Sequence, residues 1–316
     1  PEKRRGARPS ENPKHPHVFA TAGKAFRDHF EREGYAVLRD ALGRDARARF
    51  LQGFWKAAKR IVPGLKLRSR ETWRFPTGYR GIMVSYGWAQ SDFAWEPRLA
   101  RKVQGAFSSL FDVPPEELTV SLDAVLLSDR VPKKAPQPWL HKDQCPSSKE
   151  LLSVQGIYSA GEVGETDAGT VLIPGSHRKV YAWERGSSSQ HLKVPDEDMS
   201  KFEGSVVKPF VPRNGLLLFN SRLIHANTAA SAMKEESGPG GLPLPNRLAL
   251  AVCFAPRSRR SEETRATKER AYYRGQTSNH WPCDRFSLKR PRPWDFIKGG
   301  RALPTPPADP KRLNLL

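Results

Sequence analysis

His141-Lys142-Asp143, with His225 standing 84 residues further on, is where this sequence offers chemistry. Two imidazoles and one carboxylate are the ligand set that holds non-haem Fe(II) on one face and leaves the opposite face open for oxygen chemistry. Side chains two apart on an extended segment project to the same side, so His141 and Asp143 can reach one ion while Lys142 points away. His225 closes the apolar run Gly215-Leu-Leu-Leu-Phe-Asn-Ser-Arg-Leu-Ile-His225, a strand whose end can hold a ligand rigidly against a cavity. A lone His-x-Asp arises on surfaces by chance, and a core histidine satisfied by backbone is the alternative for His225. Placement favours the site: Trp139-Leu140 leads in, and the turn Cys145-Pro146-Ser147-Ser148 leads out. Zinc also accepts two histidines and a carboxylate. No His-Glu-x-x-His helix and no obvious general-base carboxylate accompanies these ligands, although a base could come from elsewhere in the fold.

The elements that must position these groups are mostly short strands. Residues 1–17 have no periodic apolar pattern and are expected to form a flexible basic arm. Thr21 can cap a helix carrying Phe26 and Phe30, which Gly34 stops, and a strand follows over 35–38. A second helix should run from Asp45 to Ile61, ended by Pro63-Gly64. Residues 65–95, aromatic and Gly-rich, resemble an ordered lid. A third helix is expected over 97–111, with Leu99, Val103, Phe107 and Leu110 on one stripe. Strand patterns then recur at 118–122, 124–127, 151–158, 169–173, 206–211, 215–219 and 247–254. Between them lie a polar insertion over 180–205, with a helix near 195–202, and a Gly/Pro-rich stretch over 231–246 that reads as a flexible hairpin insertion. Helices first and many short strands after predict a mostly β, cupin-like jelly roll with flanking helices. We expect residues 18–256 to form that domain and 257–316 a basic C-terminal extension packed partly on it.

The composition narrows the setting. A hydrophobic fraction of 38% with 28 Pro and 24 Gly among 316 residues implies many turns and extensive loops. Cys145, Cys253 and Cys283 are odd in number and widely spaced, which gives no disulfide framework and suits a reducing compartment. No stretch approaches the ~18 consecutive apolar residues of a membrane span. An intracellular, soluble protein is expected, cytoplasmic or nuclear. Because the chain opens on Pro1 rather than Met, a trimmed N-terminus is expected and targeting is partly hidden. The net charge of +20 would suit nucleic acid through phosphate attraction. However, residues 1–17 hold five Lys/Arg against two Glu, and 256–316 hold fifteen against six acids, so the excess is concentrated in the termini. No nucleic-acid-binding motif accompanies it.

A wider pattern surrounds the ligands: a helix then Gly34-Tyr-x-Val-Leu38, His141-x-Asp143, Gly169-x-x-x-Ile-Pro-Gly-Ser-His177, His225, and a strand opening on Arg247. Over roughly residues 22–256 it resembles the phytanoyl-CoA dioxygenase family of Fe(II)/2-oxoglutarate oxygenases. The resemblance implies a double-stranded β-helix, iron held by His141, Asp143 and His225, and 2-oxoglutarate and O2 as cosubstrates. Hydroxylation of a small organic substrate is the default outcome. Halogenation is disfavoured, because halogenating relatives replace the metal carboxylate with a small residue and Asp143 is present. A guanidinium opening a buried strand needs an anionic partner, and for Arg247 the resemblance makes that partner the far carboxylate of 2-oxoglutarate. The gap of 22 residues from His225 exceeds the family's usual spacing, and the 231–246 insertion accounts for the excess. Asn227 and Thr228 stand where the family often gives the cosubstrate a polar contact. Gln155 either bonds cosubstrate or substrate or is a buried structural glutamine, and His177 should stabilise the turn after Gly175.

Substrate contacts are sought in Tyr79, Arg80 and Trp88, near Phe93, Trp95 and Arg98, and in His280. Aromatic faces with nearby Arg suit an anionic or aromatic ligand. The alternative is an aromatic shell that packs helices onto the barrel. Two further functions compete: the same chemistry on a nucleic-acid base or protein side chain held by the basic tails, and a jelly-roll binding protein without turnover.

Overall fold

The computed structural model describes residues 14–76, 81–133, 139–145 and 150–316. The fold is mostly β: two sheets enclose an apolar interior as a double-stranded β-helix, and helices pack outside. The larger sheet runs in the order Val18–Phe19, Tyr35–Leu38, Gly215–Asn220, Val154–Ser159, Arg247–Ala251, Val125–Ser128, Ile82–Met83. The smaller runs Gly169–Leu172, His225–Thr228, His141–Lys142, Leu192–Lys193. Only the first pair, Val18–Phe19 with Tyr35–Leu38, is parallel among these neighbours.

The period-two alternation of strand side chains sorts the core into three layers. Val37, Leu217, Phe219, Ile157 and Ala249 face inward and meet Leu172 of the smaller sheet. Their neighbours Leu38, Leu216, Leu218, Tyr158 and Leu250 face outward into a helix-covered core. Helix Arg44–Ile61 buries Phe50, Phe54, Ala58 and Ile61, spaced three or four apart, in this core. Each large apolar side chain buried there contributes about 1.5–3 kcal/mol. On the far side, Val171, Ile173, Ile224 and Ala226 of the smaller sheet are covered by Val194 and Phe202 of the 180–205 insertion.

Several expected elements shift. Helix Lys24–Glu33 is preceded by Gly23, with no side-chain cap, so Thr21 does not cap it. It ends at Gly34, whose φ of 83° is left-handed and whose absent Cβ leaves room for His177. The helix expected over 97–111 is two, Asp92–Leu99 and Arg101–Phe111, because Ala100 is extended (φ −71°, ψ 119°). The break lets fully buried Arg98 donate to the carbonyls of Ala89 (2.5 Å) and Asp123 (2.8 Å). Residues 206–211 make isolated bridges, Leu172 to Val207 and Val163 to Val211, instead of a strand. The 231–246 stretch contains a short hairpin, Glu236–Ser237 with Pro243–Leu244, and Trp55 Nε1 donates to Pro243 O at 2.9 Å.

Beyond residue 256 the chain packs against the strands. Helix Glu262–Tyr273 is capped by Ser261, and its fully buried Lys268 donates to Thr119 Oγ1 (2.6 Å) and Pro282 O (3.0 Å). Among the described residues no helix is long and apolar enough to cross a membrane.

Candidate metal centre

His225 and His141 are direct cross-strand partners, and their ring centroids lie 4.3 Å apart. Such pairing brings two side chains of one sheet face together. Ala226 and Lys142 point to the opposite, outer face. Each ring is anchored through Nδ1 to the carbonyl two residues back: His141 to Trp139 O and His225 to Leu223 O, both at 2.9 Å. A carbonyl only accepts, so each Nδ1 carries the proton and each Nε2 presents a lone pair. Those lone pairs converge on Asp143 Oδ2, at 3.5 Å from His141 and 3.3 Å from His225. Burial pushes His141 below the usual imidazole range, and neighbouring His225 adds to that, which favours the neutral ring a metal requires. Two lone pairs and a carboxylate aimed at one point fit a bound cation.

Asp143 follows the strand His141–Lys142, its N–H donating to Ser221 O at 2.8 Å. Burial alone would push its carboxyl up. Nearby His280 and the imidazoles of His141, His191 and His225 instead hold it well below the usual range. Gln155 Nε2 donates to Asp143 Oδ2 at 2.9 Å, which ties the amide nitrogen to the carboxylate. His191 Nδ1 lies 3.1 Å from the other oxygen, Oδ1. His141, Asp143 and His191 offer ligand atoms all within 4.8 Å of one another. Sequence reasoning missed His191, which sits in a polar Ser-rich turn with no local signal. The strand Leu192–Lys193 brings it in by pairing with His141–Lys142.

Behind the ligands, Lys142 enters the outer core. Its Nζ lies 2.5 Å from Glu184 Oε1 as an ion contact, donates to Lys179 O at 2.9 Å, and sits 4.9 Å from the Tyr181 ring centroid. Both side chains are buried, at 2% and 0% exposure. The metal strand is thereby fixed to the 180–205 insertion.

Arg247 faces the interior at the start of its strand, two residues before inward-facing Ala249. Its Nη2 donates to Asn227 Oδ1 at 3.3 Å, an oxygen also bonded by Thr170 Oγ1 at 3.3 Å. Burial pulls the guanidinium down to about 10, with no nearby charge offsetting it, and it has no ion-pair partner among the described residues. A buried guanidinium held only by an amide oxygen retains strong capacity for a carboxylate. Thr228 Oγ1 bonds Gly169 O at 3.3 Å. His177 Nε2 bonds Glu31 O at 3.0 Å, behind the turn at Gly175 and away from the ligands.

The ligands line a cavity of about 180 Å³ that also meets Leu126, Ile157, Thr170, Phe219 and Asn227. Its lining also includes His280, whose buried Nε2 has no hydrogen-bond partner among the described residues, and the pair Lys289–Asp123 (2.7 Å). The entrance role expected for Trp88 is overturned: it is fully buried in the helix-side core, with ring centroids 5.7 Å from Phe54 and 6.1 Å from Phe93. Phe93, Trp95 and Arg98 are buried with it, so this aromatic segment packs the helices onto the sheet. Tyr79 and Arg80 lie outside the described residues.

No family model matches the chain. It is similar to Ava biosynthesis cluster protein O of Aspergillus versicolor, 24% identical over 278 residues that cover 81% of this chain and 85% of that protein. Among solved structures it is similar to the non-heme alpha ketoglutarate dependent carbocyclase SnoK from nogalamycin biosynthesis. That match has a TM-score of 0.50 and 14% identity, and covers 74% of this chain and 85% of the other. The epimerase SnoN, crystallised with Fe3+, alpha ketoglutarate and nogalamycin RO, gives 0.49 and 15%, covering 73% and 82%. The likeness to SnoK is one of fold, a double-stranded β-helix.

Proposed function

We propose that the chain is an Fe(II)- and 2-oxoglutarate-dependent oxygenase that hydroxylates a small organic substrate. The observation that carries this reading is the convergence of His141 Nε2, His225 Nε2 and Asp143 Oδ2 from a cross-strand pair whose other ring nitrogens are tied to backbone. Arg247, buried with no anionic partner among the described residues and bonded to Asn227 two residues past His225, supports a carboxylate-bearing cosubstrate. The motifs also resemble the phytanoyl-CoA dioxygenase family within this class. A recess of about 180 Å³ between two sheets supports a small molecule over a polymer. So does the name of the Aspergillus relative, a biosynthesis cluster protein.

In this reading His141, Asp143 and His225 hold the iron, and Gln155 aims the carboxylate. Arg247, oriented by Asn227, receives the far carboxylate of 2-oxoglutarate. When bound, iron with 2-oxoglutarate and O2 supplies the oxidising power. The chain's own tasks are to orient the reactants and to exclude water with Leu126, Ile157 and Phe219.

Anaerobic titration with Fe(II) and then 2-oxoglutarate tests the proposal through the weak visible charge-transfer band of the chelate. Wild-type protein is expected to give the band and His225→Ala to give none. Arg247→Ala should retain Fe(II) yet need about a hundredfold more 2-oxoglutarate, the loss of a charge-assisted contact of about 2–3 kcal/mol. No band in the wild type would refute the reading, and loss of iron from Arg247→Ala would refute the role given to that residue.

A further inference from the structure

We infer that the segment beyond the jelly roll supplies the substrate-binding part of the metal recess, where His280 and Lys289 receive an anionic oxygen of the substrate, such as a carboxylate. The inference rests on the oxygenase reading above and deepens it by naming the substrate class. Both residues line the recess that holds His141, Asp143 and His225. His280 Nε2 is buried and has no hydrogen-bond partner among the described residues. Buried polar atoms are nearly always paired in folded proteins, so an orphan nitrogen beside a metal site marks a place for a polar group of a ligand.

The loop that carries these groups is braced, as a recognition surface must be. Ser278 N–H donates to Leu122 O at 2.9 Å, and Leu122 N–H donates back to Ser278 Oγ at 3.0 Å. Ser278 also bridges to Leu288, and Lys289 N–H donates to Thr277 O at 2.8 Å, which closes the loop between them. Asn279 holds its inside: Nδ2 donates to Arg285 O at 2.8 Å, while Oδ1 accepts from Ser287 N–H at 3.2 Å and Trp281 N–H at 3.3 Å. His280 therefore sits between two anchored neighbours.

Lys289 sets the sign of the ligand's charge. An ammonium has three donors and accepts nothing. Among the described residues its acceptor is Asp123 Oδ1, at 2.7 Å, and Ala124 N–H shares that oxygen at 2.7 Å. Two ammonium donors are left for a ligand, and with the proton on Nε2 His280 adds a third. An oxyanion accepts from all of them through charge-assisted bonds, whereas a hydroxyl gains less and a cation is repelled. Lys289 also lines a groove of about 450 Å³ with Tyr86, Tyr273, Arg274 and Phe296. It is common to both hollows, so a substrate gripped there can turn its reacting end to the metal and leave its remainder in the groove.

Benzoate and its neutral isostere benzamide, titrated by calorimetry into protein loaded with Co(II) and 2-oxoglutarate, test the inference without turnover. Loading occupies Arg247, which otherwise competes for a carboxylate. Wild-type protein is expected to bind benzoate about tenfold more tightly than benzamide, and His280→Ala and Lys289→Met each to weaken benzoate about tenfold while Co(II) and 2-oxoglutarate bind as in the wild type. Lys289→Arg, which keeps the charge beside Asp123, should retain the preference for benzoate. Benzoate bound no tighter than benzamide, or equally well by wild type and both variants, would overturn the inference and leave the oxygenase reading standing. Loss of Co(II) or 2-oxoglutarate from a variant that still melts like the wild type would also overturn it, by placing that residue in the cosubstrate site. Wild-type protein that takes up neither Co(II) nor 2-oxoglutarate would overturn both.

Discussion

Replacing Asp143 with alanine is expected to lower metal affinity by more than about a hundredfold, beyond the range seen when only a ligand's hydrogen-bond partner is removed, while the fold survives. The carboxylate is the hub of the site. His141 and His225 Nε2 converge on its Oδ2, Gln155 donates to the same oxygen, and His191 contacts Oδ1. Without it the two strand imidazoles remain paired but bring no negative charge to the ion. The backbone link from Asp143 N–H to Ser221 O persists in alanine, so the ligand strand keeps its path. The unpaired donors left on Gln155 and His191 cost about 1–2 kcal/mol, well short of unfolding a domain this size. Calorimetric titration with Fe(II) under anaerobic conditions, alongside a thermal melt, checks both halves. Near-normal iron content in this variant would place the metal elsewhere.

Glu184→Ala is expected to have the largest effect on stability, about 3–5 kcal/mol, because it leaves Lys142 as an uncompensated charge in the outer core. Lys142 Nζ, 2.5 Å from Glu184 Oε1, has as its remaining neighbours the Lys179 carbonyl and the face of Tyr181. Burial already pushes the Lys142 ammonium below its usual range, with Glu184 as the chief influence restoring it. Removing that carboxylate tips the group toward neutrality or forces water inward, and both routes disturb the strand between His141 and Asp143. The double change Lys142→Met with Glu184→Leu should recover most or all of the lost stability, since an apolar pair of similar volume avoids both desolvation costs. Chemical denaturation of the two single variants and the double variant forms a cycle that isolates the pair. A Glu184→Ala protein as stable as the wild type would show that Lys142 finds another partner.

What was legible in the sequence followed from local rules. The two-residue spacing of His141 and Asp143, the apolar run before His225 and the turn chemistry at Gly34 and Pro174-Gly175 each depend on neighbours in the chain. The double-sheet architecture followed from many short strands after early helices. What escaped depends on long-range register. His191 reaches the site because Leu192–Lys193, too short to be recognised as a strand, pairs with the ligand segment. The hydrogen bond from Gln155 to Asp143 follows from the placement of two strands in different sheets. Composition identified the rings of residues 65–95 as notable without telling which side they face. Trp88, expected at an entrance, is buried between Phe54 and Phe93 because helices Arg44–Ile61 and Asp92–Leu99 close over it. The apolar stripe of residues 97–111 read through a break that only the buried bonds of Arg98 reveal.

The most direct measurement is an anaerobic crystal structure of the protein soaked with Fe(II) and 2-oxoglutarate. The account predicts one iron at about 2.0–2.2 Å from His141 Nε2, His225 Nε2 and an Asp143 oxygen, and the cosubstrate's far carboxylate on Arg247. An iron bound away from the His141–His225 pair, or a cosubstrate whose far carboxylate does not touch Arg247, would contradict it.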